Sequence, residues 1–351
     1  MSLYKIELNI LYKVLYKKMS MRAVNDLKAR PLLKWVGGKT QIINDIIGIL
    51  PKKINNYYEP FVGGGSVLIA FLTSVKEGKI KLSGKVYAAD FNANLVSFYK
   101  NIQSRHEEFI VELRKICDEF GAIQGGEINR NANSVEEALT SKESYYYWIR
   151  AKFNALSADE RVTPLASAML LFMNKTGFRG LYREGPNGFN VPFGNNKNVA
   201  IIDERNIRLV SALIKDVMFM HSSFESNQEL AKAGGGDFVY FDPPYAPETG
   251  TSFVGYNKDG FDIDSHRTLF RMCDEMTKKK VCLLMSNADV KLVKDAFPSP
   301  VYATRVISCR RAIHSKEPDS RTNEVLITNF ATAATATTGA ATGAATAATR
   351  I

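Results

Sequence analysis

The chain is poor in the residues that build metal centres and disulfide frameworks. Among 351 residues there are four cysteines and four histidines. Cys117, Cys273, Cys282 and Cys309 stand far apart, with no Cys-x-x-Cys pair, and the histidines form no cluster. That excludes a structural zinc site and a disulfide scaffold and makes a reducing cytoplasm the expected compartment. His221, His266 and His314 accordingly read as surface or packing residues. A long apolar run is also missing. The stretch from Met1 to Lys18 is broken by Lys5, Lys13, Lys17 and Lys18, too short to span a bilayer, and no small-residue cleavage site follows it. It reads either as an added amphipathic basic helix or as an overlong start, with Met19 or Met21 as the working initiator. Acidic residues are in deficit, 36 against 46 lysines and arginines, giving a net charge of +10. The excess supports a polyanionic partner without proving one, since a basic balance is more often a solubility trait. From Ala331 to just before Arg350 every residue is Ala, Thr or Gly. Such a tract has nothing large to bury and is expected to form a disordered tail. Its three letters double as nucleotide symbols, and it reads as nucleotide text; mass spectrometry of the native product should then end near Phe330.

Between these ends the composition is that of a globular protein, 45% hydrophobic and 23% charged, able to bury a sizeable core. Tyr57 to Val62 reads as a strand running into Gly63-Gly64-Gly65-Ser66, and Val67 to Leu72 continues at helical spacing. Lys85 to Asp90 is a second strand that closes on a carboxylate, at the distance where dinucleotide-type folds place a ribose-binding acid. Phe238 to Phe241 and Val281 to Ser286 supply further buried strands. Val301 to Ile307 and Glu324 to Thr328 have the pattern of a late hairpin, and Ser286-Asn287 ends its strand where it would line a pocket rim. The middle, roughly Phe98 to Ala200, is helix-rich and basic, an insertion that splits an α/β core.

Asp242-Pro243-Pro244-Tyr245 follows the buried strand Phe238 to Phe241 directly. Two successive prolines deny the backbone both helix and ladder hydrogen bonds, so a stiff loop is expected at the strand's carboxyl end, where open α/β sheets bind ligands. Gly38-Lys39-Thr40 imitates the end of a phosphate-binding loop, but that motif requires Gly where Leu33 stands, so a nucleotide triphosphatase is rejected.

Taken in order, Lys34-Trp35-Val36-Gly37-Gly38-Lys39, Glu59-Pro60-Phe61-Val62-Gly63-Gly64-Gly65-Ser66 and Asp242-Pro243-Pro244-Tyr245 resemble the Dam family of DNA adenine-N6 methyltransferases. Asn174 to Arg183, followed by Phe189-Asn190-Val191-Pro192-Phe193-Gly194, resembles that family's DNA-reading hairpin. Arg310-Arg311-Ala312-Ile313 to Glu324-Val325-Leu326 resembles its closing segment. The likeness covers roughly Leu32 to Phe330.

The resemblance implies a Rossmann-like methyltransferase sheet with helices on both faces and an inserted, mostly helical DNA-recognition domain carrying a β-hairpin. Residues 28–100 and 200–330 would form the catalytic domain and 101–199 the recognition domain, with 1–27 and 331–351 outside them. S-adenosylmethionine would be the methyl donor, contacted by Trp35, Lys39, Phe61, Gly63, Gly65, Asp90 and Asp242, and no metal is needed. Asp242, Pro243, Pro244 and Tyr245 would be catalytic. The Asp242 carboxylate and the Pro243 carbonyl would accept the two N6 hydrogens, localising a lone pair otherwise delocalised into the adenine ring. Tyr245 would stack on a base taken out of the helix. Lys34, Phe178, Arg179, Leu181, Arg183 and Pro192 would meet double-stranded DNA. Arg183 matches the guanine reader, Leu181 and Pro192 match contacts to a thymine methyl, and Phe178 matches the ring near the extruded base. Arg179 departs from the small polar residue usual there. Carried over together, these positions imply the site GATC. The same chemistry at another short site, a catalytically silent DNA-binding relative, and an RNA or protein-glutamine methyltransferase stand as alternatives. Expected surroundings are a DNA-associated monomer, away from membranes, with a cognate restriction endonuclease at the pathway level.

Overall fold

A computed structural model of the protein describes residues 28–195, 199–247, 261–310 and 321–331. The arm from Met1 to Lys18, the Ala/Thr/Gly tract after Ala331, Arg311 to Ile313 and His314 lie outside them.

Seven strands form the main sheet: β1 (Tyr57–Glu59), β2 (Val86–Asp90), β3 (Val217–His221), β4 (Phe238–Phe241), β5 (Cys282–Ala288), β6 (Ala303–Arg310) and β7 (Arg321–Thr328). Their spatial order is β3-β2-β1-β4-β5-β7-β6. The first five run parallel, and β7 and β6 add antiparallel at one edge. The order therefore reverses between β1 and β4, the position at which an open α/β sheet leaves a crevice at its carboxyl edge. The expected α/β class holds.

Alternation along the strands explains why the sheet is covered on both sides. Tyr57, Phe238, Tyr240, Leu284 and Leu326 enter one apolar cluster, whereas Tyr58, Val239, Phe241, Leu283, Met285, Val325 and Ile327 enter another. A strand buried on both faces reads as a continuous apolar run, as Phe-Val-Tyr-Phe does in β4.

The helices that matter for the site are α1 (Ile43–Ile49), α2 (Ser66–Lys76), α3 (Ala93–Ser104), α4 (His106–Ala122), α5 (Lys142–Ala155), α6 (Pro164–Thr176), α7 (Glu204–Leu213) and α8 (Ile263–Lys278). Helix α8 packs on the second face through Leu269, Phe270, Cys273 and Met276. Helices α4 to α6 bury Phe109, Tyr145, Tyr146 and Phe172 in the first cluster, continuous with the sheet. Between α6 and α7 a short hairpin pairs Glu184 with Phe189 and Gly185 with Gly188. The edge strand β3, beside β2, has no counterpart in the pattern read from the sequence.

Candidate active site at the strand ends

Strand β4 delivers Asp242 to the carboxyl edge of the sheet, and four contacts from four separate segments hold the loop that follows. Lys39 Nζ lies 2.8 Å from Asp242 Oδ1, with the lysine 3% and the aspartate 18% exposed. Tyr245 donates its hydroxyl to Glu324 Oε2 of β7 at 2.7 Å. The Ala246 amide donates to Asn287 Oδ1 of β5 at 3.0 Å. His266 Nε2 of α8 lies 3.1 Å from the Pro244 carbonyl oxygen. Because the proline rings fix φ, a few such contacts suffice to make the segment rigid.

Lys39 is central to the electrostatics. Its ammonium also meets the Gly37 carbonyl and sits 4.9 Å from the centre of the Tyr245 ring. One cation thus touches a carboxylate, a carbonyl and an aromatic face together. Burial raises the Asp242 carboxyl to about 6; Lys39 opposes that rise and Glu324 adds to it. Beneath the loop, Glu59 of β1 is buried and accepts the Tyr57 hydroxyl at 2.6 Å. Burial lifts its carboxyl to about 8, despite that hydrogen bond and with Asp242 pushing further upward, so Glu59 is neutral at pH 7.

The second part of the edge is the glycine turn between β1 and α2. Gly63 and Gly65 have φ of +49° and +69°, which disfavours any residue with a Cβ. A Cβ on Gly63 would lie 3.0 Å from the Trp35 ring, on Gly64 2.9 Å from Trp35 Cβ, and on Gly65 2.6 Å from the Tyr99 hydroxyl. Packing by the chain's own rings thus demands glycine here. Asp90, at the end of β2, accepts the Gly63 amide at 3.0 Å and the Asn92 amide at 2.9 Å. A further backbone hydrogen bond from Phe91 acts on the same carboxylate, which with about four acceptor sites still has room for a ligand hydroxyl. Burial raises the Asp90 carboxyl. Beside it Phe91, unremarked in the sequence, is 60% exposed, and Phe61 packs with Phe224 and Phe261.

The third part joins the insertion to this edge. Trp35 packs on Tyr182 with ring centres 5.2 Å apart. Asn174, 2% exposed near the end of α6, accepts the Lys34 amide and donates to the carbonyls of Lys34 and Gly180, all at 2.9 Å. Phe178 is exposed, and its amide donates to the Pro192 carbonyl at 2.8 Å. Arg179 adopts φ of +56° and lays its guanidinium 5.2 Å from the Phe178 ring centre. Leu181 is half-buried against the core. Arg183 is exposed and donates from Nε to Asn190 Oδ1 at 2.6 Å. Lys34, Phe178, Pro192 and Arg183 therefore belong to one connected surface beside the Trp35 segment.

Of the two readings open for His266, surface or packing, the second holds: it is fully buried, edge-on to Phe261 at 4.7 Å, with Nε2 on the loop's Pro244 carbonyl. One sequence reading changes: Ser286 and Asn287 are also fully buried, Ser286 against the Tyr240 hydroxyl of β4 and Asn287 behind the loop at Ala246, where a rim was expected. No group of three or more metal-ligating side chains occurs among the described residues.

Residues 35–313 match the family described as D12 class N6 adenine-specific DNA methyltransferase. The chain belongs to this class. Members of the D12 class act on DNA adenine, and this protein is accordingly an adenine-specific DNA methyltransferase. The type II methyltransferase M.MjaIII of Methanocaldococcus jannaschii is 36% identical over 81% of this chain and 94% of its own length. A DNA adenine methylase of Haemophilus influenzae is 31% identical, covering 87% and 94%. The type II methyltransferase M1.LlaDCHI of Lactococcus lactis is 27% identical, covering 89% and 99%. Among the described residues no helix is long and apolar enough to cross a membrane.

Proposed function

We propose that this D12-class enzyme transfers a methyl group from S-adenosylmethionine to N6 of an adenine extruded from duplex DNA, with GATC as its site. The observation that carries the chemistry is the rigid loop on which one buried cation, Lys39, meets the Asp242 carboxylate and the Tyr245 ring together. An exocyclic amine acquiring positive charge needs those same two surfaces.

The residues at the glycine turn suit the donor. Asp90 keeps free lone pairs, Phe91 offers an exposed apolar face, and the Trp35 side of the turn closes the crevice. Bound there, S-adenosylmethionine would supply an electrophilic methyl group. Asp242 and the Pro243 carbonyl would accept the N6 hydrogens and localise the nitrogen lone pair, while Tyr245, oriented by Glu324, would hold the base by stacking. Lys39 must yield the Asp242 oxygen as the amine arrives. The methylated ammonium can pass its proton to water afterwards.

For the site, Arg183 would read guanine, with Asn190 steadying one edge of its guanidinium, and Leu181 and Pro192 would meet a thymine methyl. Phe178 would fill the gap in the stack, and Lys34 would reach a flanking guanine or its phosphate. A base that pairs through N6 must leave the helix to react. Two relatives carry the name type II methyltransferase, and we take this enzyme to work as a monomer beside a cognate restriction endonuclease.

Radiolabelled methyl transfer to matched duplexes tests the reading: one with GATC, one premethylated at N6, and one scrambled, with Asp242→Ala as control. Label only in unmodified GATC, lost in Asp242→Ala, is expected. Equal labelling of all unmodified duplexes would keep the chemistry and discard the roles of Arg183 and Leu181.

A further inference from the structure

Helix α8 lies on the opposite face of the sheet from the insertion, yet it sends one polar side chain to the active loop. His266 is fully buried one turn into the helix. Its Nε2 lies 3.1 Å from the Pro244 carbonyl oxygen and its Nδ1 2.9 Å from the carbonyl of Asp262, the helix cap. Phe261 and Phe270 pack edge-on to the ring at 4.7 and 5.9 Å between centres. Phe261 in turn contacts Phe61 beside the glycine turn.

Each ring nitrogen thus faces a carbonyl oxygen within hydrogen-bonding distance, and a neutral imidazole, with one N–H, can donate to one of the two. The carbonyl that Nε2 meets is well chosen. With φ fixed at both prolines, the loop's remaining freedom lies in ψ. Fixing the Pro244 carbonyl fixes ψ at Pro244, and with it the direction in which the chain leaves for Tyr245. The Pro243 carbonyl, the second acceptor for N6, sits one peptide earlier on the same segment.

We infer that His266 is a positioning residue for methyl transfer: its Nε2–H holds the Pro244 carbonyl so that the Pro243 oxygen and the Tyr245 ring stand ready together. It touches neither base nor donor. Burial holds the imidazole below its usual range, so the neutral ring has one proton to commit; the Asp262 carbonyl already accepts the His266 amide at 3.1 Å, and the ring proton is therefore assigned to Nε2. The inference rests on Asp242 to Tyr245 being the methyl-transfer loop.

Three variants of the full chain separate this role from packing. His266→Phe keeps a ring among Phe261 and Phe270 but has no donor; His266→Gln places an amide N–H near the position of Nε2; His266→Asn reaches only the Nδ1 position. Single-turnover transfer should fall about tenfold or more in the Phe and Asn variants, with dissociation constants for DNA and donor nearly unchanged, and recover to within a few-fold in Gln. Hydrogen exchange at the Ala246 amide, read in the free protein, should accelerate in Phe and Asn and return in Gln. Wild-type turnover in His266→Phe, or equal loss in all three variants with unchanged exchange, would overturn the inference. A wild-type protein that methylates no DNA would instead overturn the loop's assignment, and the exchange series would still decide whether His266 holds the loop.

Discussion

Replacing Lys39 with methionine tests the electrostatics of the site most directly. The side chain keeps its length and apolar stem but loses the charge that sits 2.8 Å from Asp242 Oδ1. Both partners are largely shielded from water, so salt screens the pair weakly. The Asp242 carboxyl stands at about 6 because burial raises it and Lys39 restrains the rise. An opposite charge at this range lowers a carboxyl by about one to three pH units, so its removal should lift Asp242 to roughly 7–9. At pH 7 the ionised fraction would fall from about nine-tenths to somewhere between about a half and a hundredth. Only the carboxylate accepts an N6 hydrogen strongly. The assay is kcat/KM for duplex DNA at saturating donor from pH 5 to 10, since this parameter reports the enzyme before it binds DNA. Wild type should lose activity below about pH 6; Lys39→Met should lose it below about pH 7–9 and regain most of it above. Any cation brought in by the donor lowers both acid limbs alike, so the difference between them is what is read. An acid limb that stays near pH 6, with the plateau lowered by a constant factor, would refute the argument and leave Lys39 as a wall of the donor site.

Gly65→Ala should cost about 1–2 kcal/mol for its φ of +69°, and more because the new methyl would stand 2.6 Å from the Tyr99 hydroxyl. Denaturant midpoints of Gly65→Ala, Tyr99→Phe and the double variant should show the pair to be non-additive, with Tyr99→Phe recovering part of the loss; strict additivity would count against the contact. Arg183→Ala should lower discrimination at the guanine position by about 1–3 kcal/mol, roughly 5- to 150-fold in competitive methylation, while leaving transfer at saturating DNA nearly intact. Glu59→Gln should be close to neutral for activity at pH 7, because Glu59 is already protonated there. Its folded pKa is raised from 4.5 to about 8, so its contribution to stability is present below 4.5 and lost as pH rises toward 8. Glutamine has no such loss, so the variant's urea midpoint should gain on wild type between pH 5 and pH 8; a constant gap would refute a neutral Glu59.

The elements that could be read from the chain are those whose chemistry is local. A doubled proline after Phe-Val-Tyr-Phe and a triple glycine after a strand leave marks in consecutive residues, and both turned out to lie at the carboxyl edge of the sheet. Strand β3 left no such mark. Its Val-Met-Phe-Met-His follows α7 with neither glycine nor proline between, and as an edge strand it leaves Met218 41% exposed, which blurs the apolar run. The contacts that hold the site were hidden for another reason. Asn154, Asn174 and Asn206 each use the side-chain amide as a detached peptide, accepting an N–H from and donating to the C=O of one distant residue: Phe189, Lys34 and Arg30 respectively. At about 0.5–1.5 kcal/mol per hydrogen bond, such a bracket is worth a few kcal/mol and fixes a loop that no ladder reaches. Its partner lies 35 to 176 residues away, so spacing cannot reveal it.

Polarity at an apolar position can. Asn174 interrupts the buried run Ala168 to Met173, and His266 shares a helical stripe with Leu269, Phe270, Cys273 and Met276, all buried. A hydrogen-bonding side chain on such a stripe must find a partner inside the protein, or its burial would cost more than the helix gains. The stripe therefore says that a partner exists and the fold says which. In α6 the partner is Lys34, which ties the insertion to the Trp35 segment; in α8 it is Pro244, which ties the far face of the sheet to the loop after β4. Both brackets act on backbone and occupy no side-chain atom of Asp242, Tyr245 or Arg183, and that division separates the residues that hold this site from those that would use it.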